Sequence, residues 1–415
     1  MLVFGAHGLL IVNLPIIQIR ETETLVASVP SAESAPGRYR ISSLDLLRGI
    51  VMVLMTLDHT RDYFHAYSQH LSPTNLSTTT EAIFLTRWVT HFCAPVFVFL
   101  AGAAIFLKRS RGASDAKMTH FLSTRGCLLV VLEMTVVRFG WDFTLRPYAY
   151  AQIIWTIGCC MILLHYVLPL RGVRVLIAVV LLLASSFVLN LTGPSTAWTI
   201  FWGSGTVFTP SGAFIVFKYP ILRWFAVMWA GYAFGKLLLL PDARRSRTIF
   251  RIGALLTASF LLLRSFNLLD VPWSVQKSAS FTVLSFINCT KLPASLPYFL
   301  MTLGPVLLAW PLYERCRGGF ARILTRFGRV PLLFYLLHLY VIHLLAVLVT
   351  AIRGQSVSWV LPFTPFFRPP QSAEFGFGLG FVFLMVLVTL VLMYPACCYF
   401  DNQKRKRSHP WLSYF

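Results

Sequence analysis

LDLLRGIVMVLMTLDHTRDY, Leu44 to Tyr63, is an apolar span with ionisable residues at both ends. As a helix it advances ~1.5 Å per residue. Asp45, Arg48, Met52, Met55, His59 and Asp62 then share one stripe, because they follow i+3 and i+4 spacing. Arg48 and His59 lie ~16 Å apart along the axis and only ~20° apart around it. A guanidinium near one end and a titratable imidazole near the other thus occupy one side of one helix. Charge within a membrane span is costly and faces a protein interior or a water-filled site. The stripe is therefore where a functional site is expected.

The rest of the chain is the right medium for such a helix. Of 415 residues, 57% are hydrophobic and 12% charged, against roughly 25% charged in soluble domains. Apolar runs long enough to cross a bilayer, which takes ~20 residues, recur from end to end. Their continuity fits helices and excludes the alternation of a barrel. The expected fold is an all-α polytopic bundle in the lipid bilayer. A formal charge of +21 suggests nucleic acid, but the charge is divided among short alternate loops and forms no binding stripe, so no nucleic-acid partner is expected. The eight cysteines read as small packing residues. The adjacent pairs Cys159/Cys160 and Cys397/Cys398 have no metal-ligand spacing, and no metal is expected.

Residues 2–19 are apolar but lack a preceding Lys or Arg, so they fit a secretory signal poorly. They form either an eleventh span or an extension with no membrane role. Residues 21–40 read as a flexible Ser-, Pro- and Ala-rich linker. A segment 1–40 therefore precedes a membrane domain over 41–403, and 404–415 is a basic tail. Ten spans are expected at about 43–62, 82–107, 120–139, 150–169, 173–192, 221–240, 248–268, 294–314, 330–350 and 376–400. Every second loop is basic, which places residue 41 and the C-terminus in the cytoplasm. His59 then lies at the outer end of its helix and Arg48 toward the inner end.

In the second span, Arg87 and His91 are one turn apart, and His91 has a depth similar to His59. Pro95 is expected to interrupt the helix just beyond. Asp58 and Asp62 flank His59, and a carboxylate orients an imidazole as a catalytic base requires. The bland alternative is a solvated polar helix end. For Asp45 and Arg48 it is an i,i+3 pair anchoring the inner boundary. Lys291 either binds an anionic acceptor or marks an interface. His338 and His343 fall on different faces of the ninth span, which argues against a shared metal. Glu133 and Arg138 are expected to pair with each other or with neighbours.

Four strings carry a family resemblance: SLDLLRGIVMVLMTLDHTRDYF (Ser43–Phe64), FLTRWVTHFCAPVFVFLAG (Phe84–Gly102), SFINCTKLPASLPYFLMTLGP (Ser285–Pro305) and GRVPLLFYLLHLYVIH (Gly328–His343). In this order they resemble bacterial relatives of the catalytic domain of heparan-alpha-glucosaminide N-acetyltransferase. The first also resembles the LD-x-x-R…His pattern of broader membrane O-acetyltransferases, here Leu44, Asp45, Arg48 and His59. The resemblance implies a transferase in the inner membrane. It would move an acetyl or other acyl group from cytoplasmic acetyl-CoA or acyl-CoA to an extracytoplasmic sugar or small acceptor. Asp45, Arg48, Lys108 and Arg109 would hold the nucleotide. His59 would act as base or acylated intermediate, and His91 would polarise the thioester or relay a proton, with Asp58 and Asp62 beside them. The acceptor would meet Arg61, Arg87, Lys291, His338 and His70, the last matched by spacing to a family histidine in the outer loop. The competing class is a proton-coupled transporter or lipid-linked export protein. A homo-oligomer is left open.

Overall fold

The computed structural model describes residues 41–66, 71–168, 173–188, 195–362 and 376–406. The apolar stretch 2–19, the linker 21–40, His70 and the end of the basic tail lie outside the described residues. Sixteen helices and three short strands run through the described chain. The first part holds α1 (Ser42–Phe64), α2 (Glu81–Thr90), α3 (Cys93–Arg109) and α4 (Asp115–Leu132). A π-helical turn (Glu133–Val137) joins α4 to α5 (Arg138–Asp142). Next come β1 (Tyr148–Ala151), α6 (Ile153–Val167), α7 (Val173–Val188), α8 (Thr196–Phe201), β2 (Gly205–Phe208) and β3 (Phe214–Phe217). The chain continues through α9 (Ile221–Phe234), α10 (Asp242–Ser265), α11 (Ala279–Ile287), α12 (Leu296–Leu308), α13 (Trp310–Arg315), α14 (Gly319–Arg329), α15 (Pro331–Ile352) and α16 (Leu379–Lys406).

Six helical stretches are long and apolar enough to cross a membrane: Glu81–Arg109, Asp115–Asp142, Asp242–Ser265, Leu296–Arg315, Pro331–Ile352 and Leu379–Lys406. Among the described residues, each of the ten stretches expected to span is mostly helical, with 82–107 divided between α2 and α3. Among them α1 matches the six in length, at 23 residues, but its five Asp and Arg side chains set it apart by composition. Several helices start where the sequence supplies a cap. The side chains of Thr80, Ser114, Ser195, Ser278 and Ser295 each accept a hydrogen bond from the backbone N–H three residues on, satisfying an otherwise orphaned donor.

In lipid, helices associate through close packing rather than through expulsion of water, and small residues let the backbones approach. Here paired glycines mark the crossings. A Cβ on Gly49 of α1 would lie 1.8 Å from the Leu324 carbonyl oxygen of α14, and one on Gly328 would lie 1.8 Å from the Asp45 carbonyl oxygen. Gly102 of α3 and Gly231 of α9 have the same reciprocal relation, each 2.0 Å from the other helix's carbonyl. The stretch that decides the fold is thus a helix enclosed within the bundle. It packs against α14, α16, α15, α3 and α2, with residues buried on all sides from Ser43 to Phe64.

Two features differ from the sequence expectation. Residues 319–329, read as a basic loop, form α14, which buries Ala321, Leu324, Phe327 and Gly328 against the bundle and exposes Arg322 and Arg326. The polar-end loops contribute a small sheet of order β1-β3-β2, parallel between β1 and β3 and antiparallel between β2 and β3. Those strands are four residues each, too short for period-two alternation to register.

Candidate active site

Opposite the arginine-rich loops, the ends of several helices enclose a cavity of about 670 Å³. The last turns of α1 supply Asp58, His59, Arg61 and Asp62 to its wall. Arg87 and His91 come from α2 and its end, and Trp141 from α5. Loops add residues 71–74, Gln152, Lys218, Tyr219 and residues 288–292. The size suits a small polar ligand.

His59 meets His338 of α15. Its Nδ1 lies 2.7 Å from His338 Nε2, and the rings are 21° from coplanar. On the far side, His338 Nδ1 lies 2.7 Å from the Tyr335 carbonyl oxygen and 3.1 Å from that of Phe334. A carbonyl only accepts, so His338 Nδ1 carries the hydrogen. Neutral His338 then accepts at Nε2, and His59 must donate from Nδ1. This leaves His59 Nε2 with a lone pair, the tautomer a general base needs. Trp141 fixes the ring from another direction, edge-to-face at 4.9 Å. Its own position is set by Tyr63, whose hydroxyl donates to the Trp141 carbonyl at 2.6 Å.

The expectation that a neighbouring carboxylate orients His59 is corrected by this geometry. Asp58 accepts from Arg61 at 2.5 Å, from Arg87 at 2.6 Å and from Thr90 at 2.8 Å. Asp62 accepts from Arg61 at 3.2 Å. Two guanidiniums reaching one carboxylate are a stronger draw than a neutral imidazole. Arg61 is fully buried, and its charge is matched within α1 itself.

The break between α2 and α3 falls at His91 and Phe92. Pro95 has no N–H to return to the His91 carbonyl. That carbonyl accepts instead from the Tyr298 hydroxyl of α12 at 2.8 Å. The proline thus opens the ladder as expected, and a second helix closes it. His91 Nδ1 is buried with no hydrogen-bond partner among the described residues.

Lys291 and Lys218 enter the cavity from loops. Burial first, and the Arg87 cation second, push the Lys291 ammonium down to about 8, against the pull of Asp58. The same two causes push Lys218 down to about 7.

At the opposite end, Arg48 donates to the Leu100 carbonyl at 3.1 Å and pairs with Asp45 at 3.5 Å. Arg329 reaches Asp45 at 3.8 Å and Asp401 at 3.2 Å. Lys108 lies 3.4 Å over the Phe121 ring. Arg109 donates to Tyr232 at 3.0 Å, to the Leu168 carbonyl at 3.1 Å and to Asp115 at 2.9 Å. The four sequence candidates for a nucleotide site therefore lie at the basic end, each already engaged by neighbours.

The structure brings Asp58, His59, Arg61, Asp62, Arg87, His91 and Lys291 to one cavity. His338 stands behind it, in contact with His59. His343 faces elsewhere, 2.8 Å from the Val360 carbonyl. Glu133 and Arg138 do not pair. Glu133 accepts from the N–H groups of Ile154 and Trp155 at the start of α6, at 3.0 and 3.1 Å. Arg138 organises the loop before β1 through the carbonyls of Thr144, Arg146 and Tyr148. Sequence reading missed Lys218, Trp141 and Gln152. Lys218 did carry a signal, being the sole charged residue between Arg174 and Arg223.

Residues 40–269, more than half of the chain, match the family model described as heparan-alpha-glucosaminide N-acetyltransferase, catalytic. No curated protein matches the chain.

Proposed function

This chain belongs to the heparan-alpha-glucosaminide N-acetyltransferase catalytic family, and from that premise we propose that it is a membrane acetyltransferase drawing on cytoplasmic acetyl-CoA. The observation that carries the reading is the His59–His338 pair at the cavity wall. In this reading all ten helical stretches span the membrane, α1, α6, α7 and α9 joining the six that qualify by length and composition. The basic end faces the cytoplasm, as the positive-inside rule directs. The cavity opens on the opposite side, toward a sugar or small acceptor.

The chemistry then follows from the tautomer. The acceptor's hydroxyl or amine places its hydrogen on the His59 Nε2 lone pair as its oxygen or nitrogen attacks the thioester carbonyl carbon. His59 becomes doubly protonated, and His338 continues to accept from Nδ1, holding the ring while the charge is present. The carbon–sulfur bond breaks, and the proton passes from His59 to the departing CoA sulfur. Products are the acetylated acceptor and CoA, with His59 returned to its starting form. His91 lines the same cavity and in this reading polarises the thioester oxygen. Arg48, Lys108 and Arg109 supply cations for the nucleotide phosphates at the other surface. The rise from Arg48 to His59, ~16 Å, is a distance an extended pantetheine arm can cover.

The test is direct. Purified protein is given acetyl-CoA labelled in the acetyl group, with a panel of amino sugars and sugar alcohols. Transfer of label by wild type and its loss in His59→Ala supports the reading. Equal CoA release by both proteins removes His59 from its role, and failure to bind acetyl-CoA returns the chain to the transporter class.

A further inference from the structure

We propose that the cavity holds its acceptor by an anionic group, a carboxylate or a phosphate ester, bound between Lys291 and Lys218 while the acceptor's nucleophilic atom faces His59. This rests on the transferase reading of the same cavity and adds the class of molecule it takes.

The first argument is charge. Among the described residues, Arg61, Arg87 and Lys291 face two carboxylates, Asp58 and Asp62, in the cavity wall. Both carboxylates are already occupied by the arginines, as the Asp58 contacts of 2.5 and 2.6 Å and the Asp62 contact of 3.2 Å show. Among the described residues the Lys291 ammonium has no hydrogen bond or ion pair. A half-buried cation without a direct partner carries a desolvation cost, and an anionic ligand offsets it.

The second argument is that Lys291 is held in place. Asp270 accepts from the Thr290 N–H at 3.2 Å, the Thr290 hydroxyl at 2.5 Å and the Ser295 hydroxyl at 2.6 Å. Asn288 donates to the Thr74 carbonyl at 3.1 Å. The backbone is thus tied on both sides of the lysine, which keeps the ammonium aimed at the cavity. Binding sites work through such fixed groups.

The third argument is linkage. The groups acting on Lys291 are Arg87 of α2, Asp58 and Asp62 of α1, and Cys93 of α3, with burial depressing it to about 8. An anion arriving beside the two lysines restores their charge, so binding takes up protons and weakens as pH rises through 7 to 8.

The experiment is calorimetric titration of the full chain with glucose 6-phosphate and with glucose, at pH 6.5 and pH 9, with acetyl-CoA titrated into the same preparations. At pH 6.5 the phosphate ester binds at least about tenfold more tightly, the worth of one charged hydrogen bond. The preference shrinks at pH 9 and is lost in Lys291→Met, or in Lys291→Gln should the first variant not fold. Glucosyl-phosphoryl polyprenol in nanodiscs, against glucose 1-phosphate, tells a lipid-linked acceptor from a soluble one. Equal affinity for the two sugars, no binding of either, or a preference that survives both Lys291 variants and Lys218→Met overturns the proposal. If acetyl-CoA still binds in that case, the transferase reading stands. An anion preference without acetyl-CoA binding keeps the anion site and removes the transferase.

Discussion

His338 holds the imidazole of His59 from 279 residues away in sequence, with 2.7 Å between the two ring nitrogens. The bond fixes both the direction of the His59 ring and the nitrogen that stays unprotonated. Removing the base in His59→Ala is expected to lower turnover by about 10²–10⁴-fold. His338→Ala is expected to lower kcat by about 10- to 100-fold, leaving KM for the acceptor nearly unchanged, because it acts through His59. His338→Gln, whose amide oxygen can still accept from His59 Nδ1, restores much of the rate. The rescue distinguishes positioning from mere packing, since a packing role gives Gln no advantage over Ala in kcat at matched stability.

Asp58 neutralises two guanidiniums at once. Its carboxylate and the Arg61 side chain are 13% and 0% exposed, so losing the carboxylate strands buried positive charge. Asp58→Ala is expected to cost about 3–5 kcal/mol of stability. Adding Arg61→Met and Arg87→Met to Asp58→Ala recovers much of that loss, because both stranded guanidiniums are gone and the charge left without its arginine, Asp62, is partly exposed. Denaturation monitored in detergent at fixed lipid content checks this. A triple variant no more stable than the single one would show that the aspartate contributes by something other than charge.

How far the sequence could reach depended on range. α1 was legible because its apolar run and ionisable ends lie within 23 residues. Arg87 and His91 were legible for the same reason, and depth along two neighbouring spans put His91 near His59. The His59–His338 bond was not, because no local pattern encodes which face of α15 meets α1. Nor was the fate of Asp58: its position beside His59 suggested an Asp-His pair, while its partners Arg87 and Thr90 come from another helix. Lys218 stood alone in an uncharged stretch, yet nothing nearby indicated that it would share a cavity with Lys291.

The α1–α14 crossing makes a steric prediction. A methyl group at Gly49 would stand 1.8 Å from the Leu324 carbonyl oxygen, and a backbone oxygen on a packed helix has little room to yield. Gly49→Ala and Gly328→Ala are each expected to force the helices apart and lower the unfolding temperature by several degrees, an overpacking cost of about 1–3 kcal/mol. Gly112, where an added Cβ meets nothing within 4 Å but φ is +85°, should lose stability only through backbone strain. Thermal unfolding of the three alanine variants, with Gly49→Ala and Gly328→Ala falling clearly below Gly112→Ala, checks the order.

Lys291 should also make stability depend on pH in a defined direction. Its folded-state value is about 8, against 10.5 for an unperturbed lysine. Between those values the unfolded chain binds the proton and the folded chain does not. Stability contributed by this group therefore rises with pH across the window, and is lowest below 8, where the folded state must carry the partly desolvated charge. Lys291→Met removes the penalty altogether. The variant should unfold at a higher temperature than the wild type at pH 7, and the gap should close as pH approaches 10. Unfolding temperatures for both proteins across pH 6.5 to 10 test it; a gap that is constant with pH, or of the opposite sign at pH 7, would mean that the folded state already supplies Lys291 with a counter-charge.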